Sequence, residues 1–325
     1  MADDEKDIGR RQFLRLGSVA ALSGSALGSF FQEGPPPSGL DCRLMGRTGH
    51  YRSCVTLGGI TVMNEEQEVV DRLVEDAIGA GVNAVDVAPS YGDAETKLGK
   101  ALQGKRDLLF LGAKTGKRDE AGAWAELQNS LQRLQTDRLD SWSLHGLDKP
   151  EELDQVLAPG GAMEALKRAK EEGLTRFLGI TGHRPDTLLE ALRRFDFDIV
   201  MFPYNFILNR AGYGALLLDE AFKRGCGILA IKPFAHRKWE EGEQRTAPKC
   251  WYKPYTTNHE MSLMIRWVLG TRVTSIIPSG DVTLFRRALR LAQGYQPLTT
   301  AELAELEKKA AEVKPLFAVP EAEAD

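Results

Sequence analysis

Past its first 40 positions, the chain alternates between short β-branched runs and longer stretches with apolar residues at helical spacing. Eight runs read as strands: Val55–Gly59, Ala84–Val87, Leu108–Ala113, Ser141–Leu144, Phe177–Ile180, Ile199–Phe202, Gly227–Ile231 and Thr274–Ile277. Between them, Glu66–Ala80 places Val69, Leu73, Ala77 and Ile78 on one helical face, and Met163–Glu172 and Thr187–Arg194 read the same way. Strand followed by helix, repeated about eight times, predicts a closed parallel (β/α)8 barrel, the TIM-barrel class of α/β fold. The competitor is an open doubly wound sheet, and no Gly-x-Gly-x-x-Gly follows the first strand to support it. A β-hairpin, near Asp41–Arg43 and Tyr51–Cys54, precedes the barrel, and an extra C-terminal helix, Thr300–Val313, closes one side. Ala235–Asn258 breaks the alternation. It is long and polar, carries Trp239, Trp251, Tyr252 and Tyr255, and follows the seventh strand, which puts it at the barrel mouth. A lid, a substrate wall and a surface packing patch are the readings open to it.

Composition narrows the classes. A chain of 325 residues suits one large barrel or two ordinary domains. Hydrophobic content of 42% and charged content of 27% are those of a soluble globular protein. The net charge of −4 gives no strong field for nucleic acid or an anionic membrane. No apolar run of about 20 residues follows the N-terminal segment, so no internal membrane span is expected. The four cysteines, Cys42, Cys54, Cys226 and Cys250, form no C-x-x-C pair, and no metal site is expected. They read as independent thiols, with a Cys42–Cys54 bridge across the hairpin as the alternative that export would favour.

The N-terminus reads as an address. An acidic start leads to Arg10-Arg11-Gln12-Phe13-Leu14, then to a mildly apolar run, Leu16–Phe31, and a Pro/Gly-rich linker. Arg10-Arg11 followed by Phe13-Leu14 resembles the twin-arginine signal. The expected organisation is a signal over 1–31, a linker over 32–40, a barrel over 41–315 and a frayed tail over 316–325. The signal implies the twin-arginine translocation machinery as a partner. It also implies an exported chain, periplasmic or tethered to the membrane by an uncleaved signal. An amphipathic helix with a chance arginine pair is the alternative.

Chemistry concentrates at strand ends. Asp86 closes the second strand, and Tyr91 follows it in Ser90-Tyr91-Gly92. Lys114 closes the third strand and His145 the fourth. In a barrel these ends are neighbours, so the four side chains converge on one pocket, where charge is otherwise costly. Singly, the Asp reads as a helix cap, the Lys as solvated and the His as structural. Four in order at consecutive strand ends point to a site.

Asp86-x-Ala88-x-x-Tyr91-Gly92, Lys114 and His145 together resemble the catalytic tetrad of the aldo-keto reductase family. Leu44-Met45-Gly46-Arg47-Thr48-Gly49, Gly173–Ile180, Tyr204-Asn205, Lys232-Pro233 and Ile276–Gly280 are similar to further family segments, over residues 40 to 315. The resemblance implies hydride transfer between a nicotinamide cofactor, NADP(H) rather than NAD(H), and a small carbonyl or alcohol substrate. Tyr91 is then the general acid and base, Lys114 lowers its pKa, Asp86 fixes Lys114, and His145 orients the carbonyl. Thr181, Gly182, Met201, Lys232, Pro233, Ser279 and Gly280 fall at cofactor positions, with Arg286 or Arg287 for a 2′-phosphate. Three positions depart from the family pattern. Thr181-Gly182-His183 stands where Ser-Asn is usual, Met201 where Gln is common, and Ile231 where an aromatic often stacks. Two other readings stay open: a Schiff-base lyase using Lys114, and a non-catalytic nucleotide-binding barrel.

Overall fold

The computed structural model describes residues 39–317, so the expected signal, most of the linker and residues 318–325 lie outside the described residues. An antiparallel hairpin opens the fold, β1 (Cys42–Leu44) and β2 (Tyr51–Ser53). Next come β3 (Leu57–Gly58), α1 (Gly59–Val62), α2 (Gln67–Gly79), β4 (Ala84–Asp86), α3 (Ala94–Ala101), β5 (Phe110–Thr115), α4 (Glu120–Leu134) and β6 (Leu139–Leu144). The chain continues through α5 (Pro150–Leu157), α6 (Ala162–Glu171), β7 (Thr175–Thr181), α7 (Pro185–Arg194), β8 (Ile199–Pro203), α8 (Phe206–Arg210), α9 (Ala215–Lys223) and β9 (Gly227–Ile231). It ends with β10 (Ala235–Lys238), β11 (Tyr252–Pro254), α10 (Asn258–Leu269), β12 (Ser275–Ile277), α11 (Val282–Ala292) and α12 (Thr300–Glu312).

Eight strands, β3 to β9 and β12, lie parallel in sequence order. Val55 bridges Ile276, with Thr56 N donating to Ile276 O at 2.9 Å and Ile276 N to Cys54 O at 2.9 Å, which closes the sheet on itself. This is the (β/α)8 barrel expected from the sequence, and all eight expected strands are present. Strand pleat sorts the residues into two cores. One lies between strands and helices and includes Leu111, Trp142, Ile180 and Phe202. The other fills the barrel interior with Met45, Ala84, Phe110, Ile199, Met201, Leu229 and Ile277. Small residues make room inside: a Cβ on Gly112 would sit 2.9 Å from Ser141 Oγ.

The hairpin caps the barrel floor. Arg52, 1% exposed, donates from Nε to Thr56 Oγ1 at 3.0 Å and lies 5.1 Å from the Phe110 ring centroid. Burial holds its pKa down near 10. All four cysteines are free thiols. Cys42 pairs with Ser53 while Cys54 N donates to Asp41 O, so Cys42 and Cys54 occupy successive rungs and point to opposite faces of the ribbon.

Helix ends follow their caps. Asp119, Thr257 and Asp281 accept from the first-turn N–H groups of α4, α10 and α11, and Thr299 with Glu302 forms a capping box on α12. The buried face of α2 is Val70, Leu73, Val74 and Ala77, one step round from the expected stripe. Ala235–Asn258 is more ordered than its polarity suggests. It folds back as the hairpin β10–β11, with Trp239 Nε1 donating to Cys250 O at 2.8 Å and His236 stacked on Tyr255 at 4.4 Å.

Candidate active site

Register brings the strand-end groups together. Asp86 lies opposite Gly112 and Lys114 opposite Ser143, while His145 N donates to Thr115 O at 2.8 Å. The side chains of Asp86, Lys114 and His145 thus share the C-terminal rim of the barrel, and Tyr91 leans over them from the loop after β4. They line one cavity of about 900 Å³, counting its open mouth. Lys114 is 1% exposed and donates to Asp86 Oδ2 and, at 3.0 Å, to Val87 O. Its Nζ lies 5.1 Å from the Tyr91 ring centroid. Tyr91 Oη and His145 Nε2 are 3.5 Å apart, their rings edge-on at 86°. A gap of that length leaves both groups free to share an oxygen between them. Arg118 fixes the His145 backbone, donating to His145 O at 3.0 Å and Gly146 O at 2.9 Å.

Lys114 lowers the Tyr91 pKa as expected, but it competes with burial. Burial pushes the Tyr91 phenol above its usual pKa, and Asp86 adds to this, while Lys114 pulls it down without winning. Burial opposes the charge on Lys114, but Asp86 and Tyr91 outweigh it and raise the ammonium's pKa. Burial, reinforced by Lys114, His183 and Arg118, lowers His145 to about 3, so its imidazole is neutral at physiological pH. The cup therefore presents a protonated phenol, a cation locked to a carboxylate and a neutral hydrogen-bonding ring.

The expected cofactor positions divide. Thr181, Gly182, Met201, Lys232, Ser279 and Gly280 line the cavity. Ser279 Oγ bonds Tyr252 Oη at 2.8 Å. Pro233, Arg286 and Arg287 are outside the lining. Arg286 pairs with Asp76 at 2.8 Å, and Arg287 donates to Thr256 O. From β11 and the residues just before it, Lys249, Cys250, Trp251 and Tyr252 complete the wall, so two of the four aromatics between Ala235 and Asn258 face the cavity. Lys249 ties the wall to α1 and the turn after it, donating to Thr61 O at 3.0 Å and pairing with Glu65 at 2.5 Å.

Sequence reading missed Asp148 and the role of His183. Asp148 Oδ1 accepts from His183 N, and Oδ2 lies 3.3 Å from His183 Nδ1. A Cβ on residue 182 would fall 2.8 Å from Asp148 Oδ1, so the glycine at Gly182 is what lets the carboxylate in. His183 Nε2 is 3.0 Å from Lys232 Nζ. Lys232 holds φ at 58°, a left-handed conformation costing a lysine about 1–3 kcal/mol. Asn205 secures it, donating from Nδ2 to Lys232 O at 3.0 Å.

Residues 55–304 match the family model described as "Aldo/keto reductase family". Among curated proteins, the chain is 30% identical to L-galactose dehydrogenase of Arabidopsis thaliana over 60% of its own length and 66% of that protein. It is 28% identical to D-threo-aldose 1-dehydrogenase of a Pseudomonas species over 50% of its length and 58% of that protein. The match to these two therefore spans less than two thirds of their length. Among solved structures, the holo aldo-keto reductase AKR11C1 of Bacillus halodurans superposes with a TM-score of 0.67 at 22% identity, covering 86% of this chain and 98% of that one. An aldo/keto reductase of Klebsiella pneumoniae, in complex with NADP and acetate, gives 0.64 at 21% identity over 83% and 95%. At these identities the superpositions bear on the fold.

The pairing of Lys114 with Asp86 predicts strong coupling in stability. Lys114→Met or Asp86→Asn alone should cost about 3–5 kcal/mol, because each leaves a buried group without its partner. The double variant should cost clearly less than the sum in urea unfolding. Additive costs would mean that the two groups do not act as a pair.

Proposed function

The chain belongs to the aldo/keto reductase family, a family of oxidoreductases, and on that premise we propose that it is a nicotinamide-dependent enzyme. It reduces an aldehyde or ketone, or oxidises the corresponding alcohol, at Tyr91. The observation that carries this reading is the 3.5 Å gap between Tyr91 Oη and His145 Nε2, above a lysine kept cationic by Asp86. The residues present suit such a cofactor. The cavity runs from Tyr91 to Ser279 and Gly280 before α11, and Lys232 adds a buried amine to the same wall. When bound, the nicotinamide supplies or accepts the hydride. His145 and Tyr91 hold the substrate oxygen, His145 as a neutral hydrogen-bonding group. Tyr91 delivers its proton to the oxygen as charge develops there, and Lys114 stabilises the phenolate left behind. A phenol pKa above the usual value keeps the donor loaded at neutral pH. It also means that alcohol oxidation, which needs the phenolate, speeds up as pH rises.

NADP(H) is the expected form, in keeping with the NADP held by the Klebsiella pneumoniae structure. Arg287 is the better candidate for the 2′-phosphate, since it is held by a backbone carbonyl, Thr256 O, while the charge of Arg286 is already paired with Asp76. Trp251, 47% exposed at the mouth, offers a flat ring to a polyhydroxylated substrate. Together with the names of the two dehydrogenase relatives, this favours an aldose or a hydroxyaldehyde. The non-catalytic alternative gains no support from a site that keeps all four polar groups together. A lyase using Lys114 is disfavoured because Asp86 keeps that amine protonated. Export rests on Arg10-Arg11 and the apolar run after it, with the translocation machinery as partner.

Two experiments test this reading. With an aldose panel and NADP+, or hydroxyaldehydes and NADPH, the enzyme should turn over, the oxidation rate rising through alkaline pH. Tyr91→Phe should lower kcat by about 10²–10⁴ while NADPH still binds, and more tightly than NADH. Unchanged turnover in Tyr91→Phe would refute the assignment. Separately, residues 1–40 fused to a reporter should direct it to the periplasm, and replacing Arg10 and Arg11 by Lys should retain it in the cytoplasm. Export that ignores the arginine pair would contradict the address.

A further inference from the structure

The cavity holds three lysines, and two of them are tied to carboxylates, Lys114 to Asp86 and Lys249 to Glu65. Lys232 is different. Among the described residues it has no ion pair with a carboxylate, and its side-chain hydrogen bond is to a histidine nitrogen. That histidine is backed by an acid. Asp148 lies 3.3 Å from His183 Nδ1 and also accepts from His183 N, so Nδ1 carries the ring proton and Nε2 is left as an acceptor facing Lys232 Nζ at 3.0 Å. Tyr213 Oη donates to His183 O at 2.6 Å and fixes the loop. The order carboxylate, imidazole, nucleophile is the logic of an acid–base triad, here with an amine at its end.

We propose that Asp148, His183 and Lys232 form a second reactive unit, in which the Lys232 amine condenses with the carbonyl of an aldehyde or ketone to give an imine. This goes beyond hydride transfer and does not depend on it.

The step balances on groups in the cavity. His183 Nε2 takes one proton from the Lys232 ammonium. The amine lone pair forms a C–N bond to the carbonyl carbon, the C=O π pair moves to oxygen, and a second nitrogen proton passes to that oxygen. The carbinolamine then loses its hydroxyl with the proton from His183, as water, while nitrogen forms the C=N bond. Ammonium and carbonyl become iminium and water, His183 is neutral again, and water reverses the step.

The surroundings favour the free amine. Lys232 is 8% exposed, and the rings of Trp251, Tyr252 and Phe317 lie 5.6, 5.9 and 5.9 Å from its Nζ. Burial lowers its pKa to about 8, against the opposing charge of Asp148. The Cys250 thiol, pushed up to about 11 by burial, stays protonated near neutrality and does not compete as a nucleophile. Lys114, with its pKa raised, is the poorer amine. The three residues also make one connected set: Gly182 admits Asp148, Asp148 holds His183, and His183 meets a lysine kept in a left-handed conformation. Strain of this kind persists where the surroundings enforce it, often at functional sites.

The test is reductive trapping. The full chain is incubated with glycolaldehyde and sodium cyanoborohydride, and each lysine's modification is followed by peptide mass spectrometry. Lys232 should be modified at pH 7 at least ten times faster than the exposed Lys149, with a midpoint near pH 8. His183→Ala should slow trapping at position 232 at least tenfold. Lys232→Arg, which keeps the charge but forms no imine, should abolish the adduct while preserving the melting temperature. Should His183→Ala fail to fold, the pH midpoint in the unmodified protein decides, and a value above 10 overturns the proposal. Trapping no faster than at Lys149, or mainly at Lys114, also overturns it. So does an unreactive Lys232 whose replacement by Met only weakens NADPH binding, since that outcome makes it a phosphate contact. Hydride transfer assayed in parallel separates failure of this unit from failure at Tyr91.

Discussion

A lysine ammonium buried to 1% exposure against a single carboxylate is the constraint around which the site is built. Neither charge would be tolerated alone in that interior. Together they place a fixed cation beside a phenol. The pair requires three things of the fold: adjacent parallel strands in the observed register, a glycine at Gly112 to clear space, and Val87 O as a further acceptor. A shift of one residue in β5 would turn Lys114 toward the helices and dissolve the site.

Burial and charge compete at Tyr91, and burial wins. The sign matters for chemistry. A phenol held protonated is ready to donate, and Lys114 acts mainly once negative charge appears on its oxygen. His145 is governed by the same two influences, but both push one way, so its neutrality is robust. Acid should therefore weaken the fold. Protons that the unfolded chain binds below pH 6.5 are refused by His145 down to about 3 and by half-buried His50 down to about 4. Stability from these groups is complete above pH 6.5 and is lost as pH falls through that window.

Most of the fold was legible in the sequence because barrel strands are short, β-branched and separated by amphipathic helices. Asp86, Tyr91, Lys114 and His145 were legible because strand ends in a barrel must converge. What escaped did so for physical reasons. The face of α2 depends on how the helix is rotated against the barrel, and Val69 and Val70 are equally apolar. The contact of Lys232 with His183 joins positions 49 residues apart, and that of His183 with Asp148 joins positions 35 apart, through loops with no periodicity. The departure at Thr181-Gly182-His183 was visible, but its cause, the approach of Asp148, needed coordinates. Whether Lys114 or burial would dominate at Tyr91 also depended on depth, which sequence does not give.

The most direct measurement is the titration of Tyr91 itself. With tyrosine labelled at Cζ, NMR of the nucleotide-free protein should show the Tyr91 resonance titrating above pH 10, and Lys114→Met should move the midpoint further up. A midpoint below 10, or one indifferent to Lys114, would contradict a site in which burial holds the proton on the phenol and the neighbouring ammonium waits for the charge.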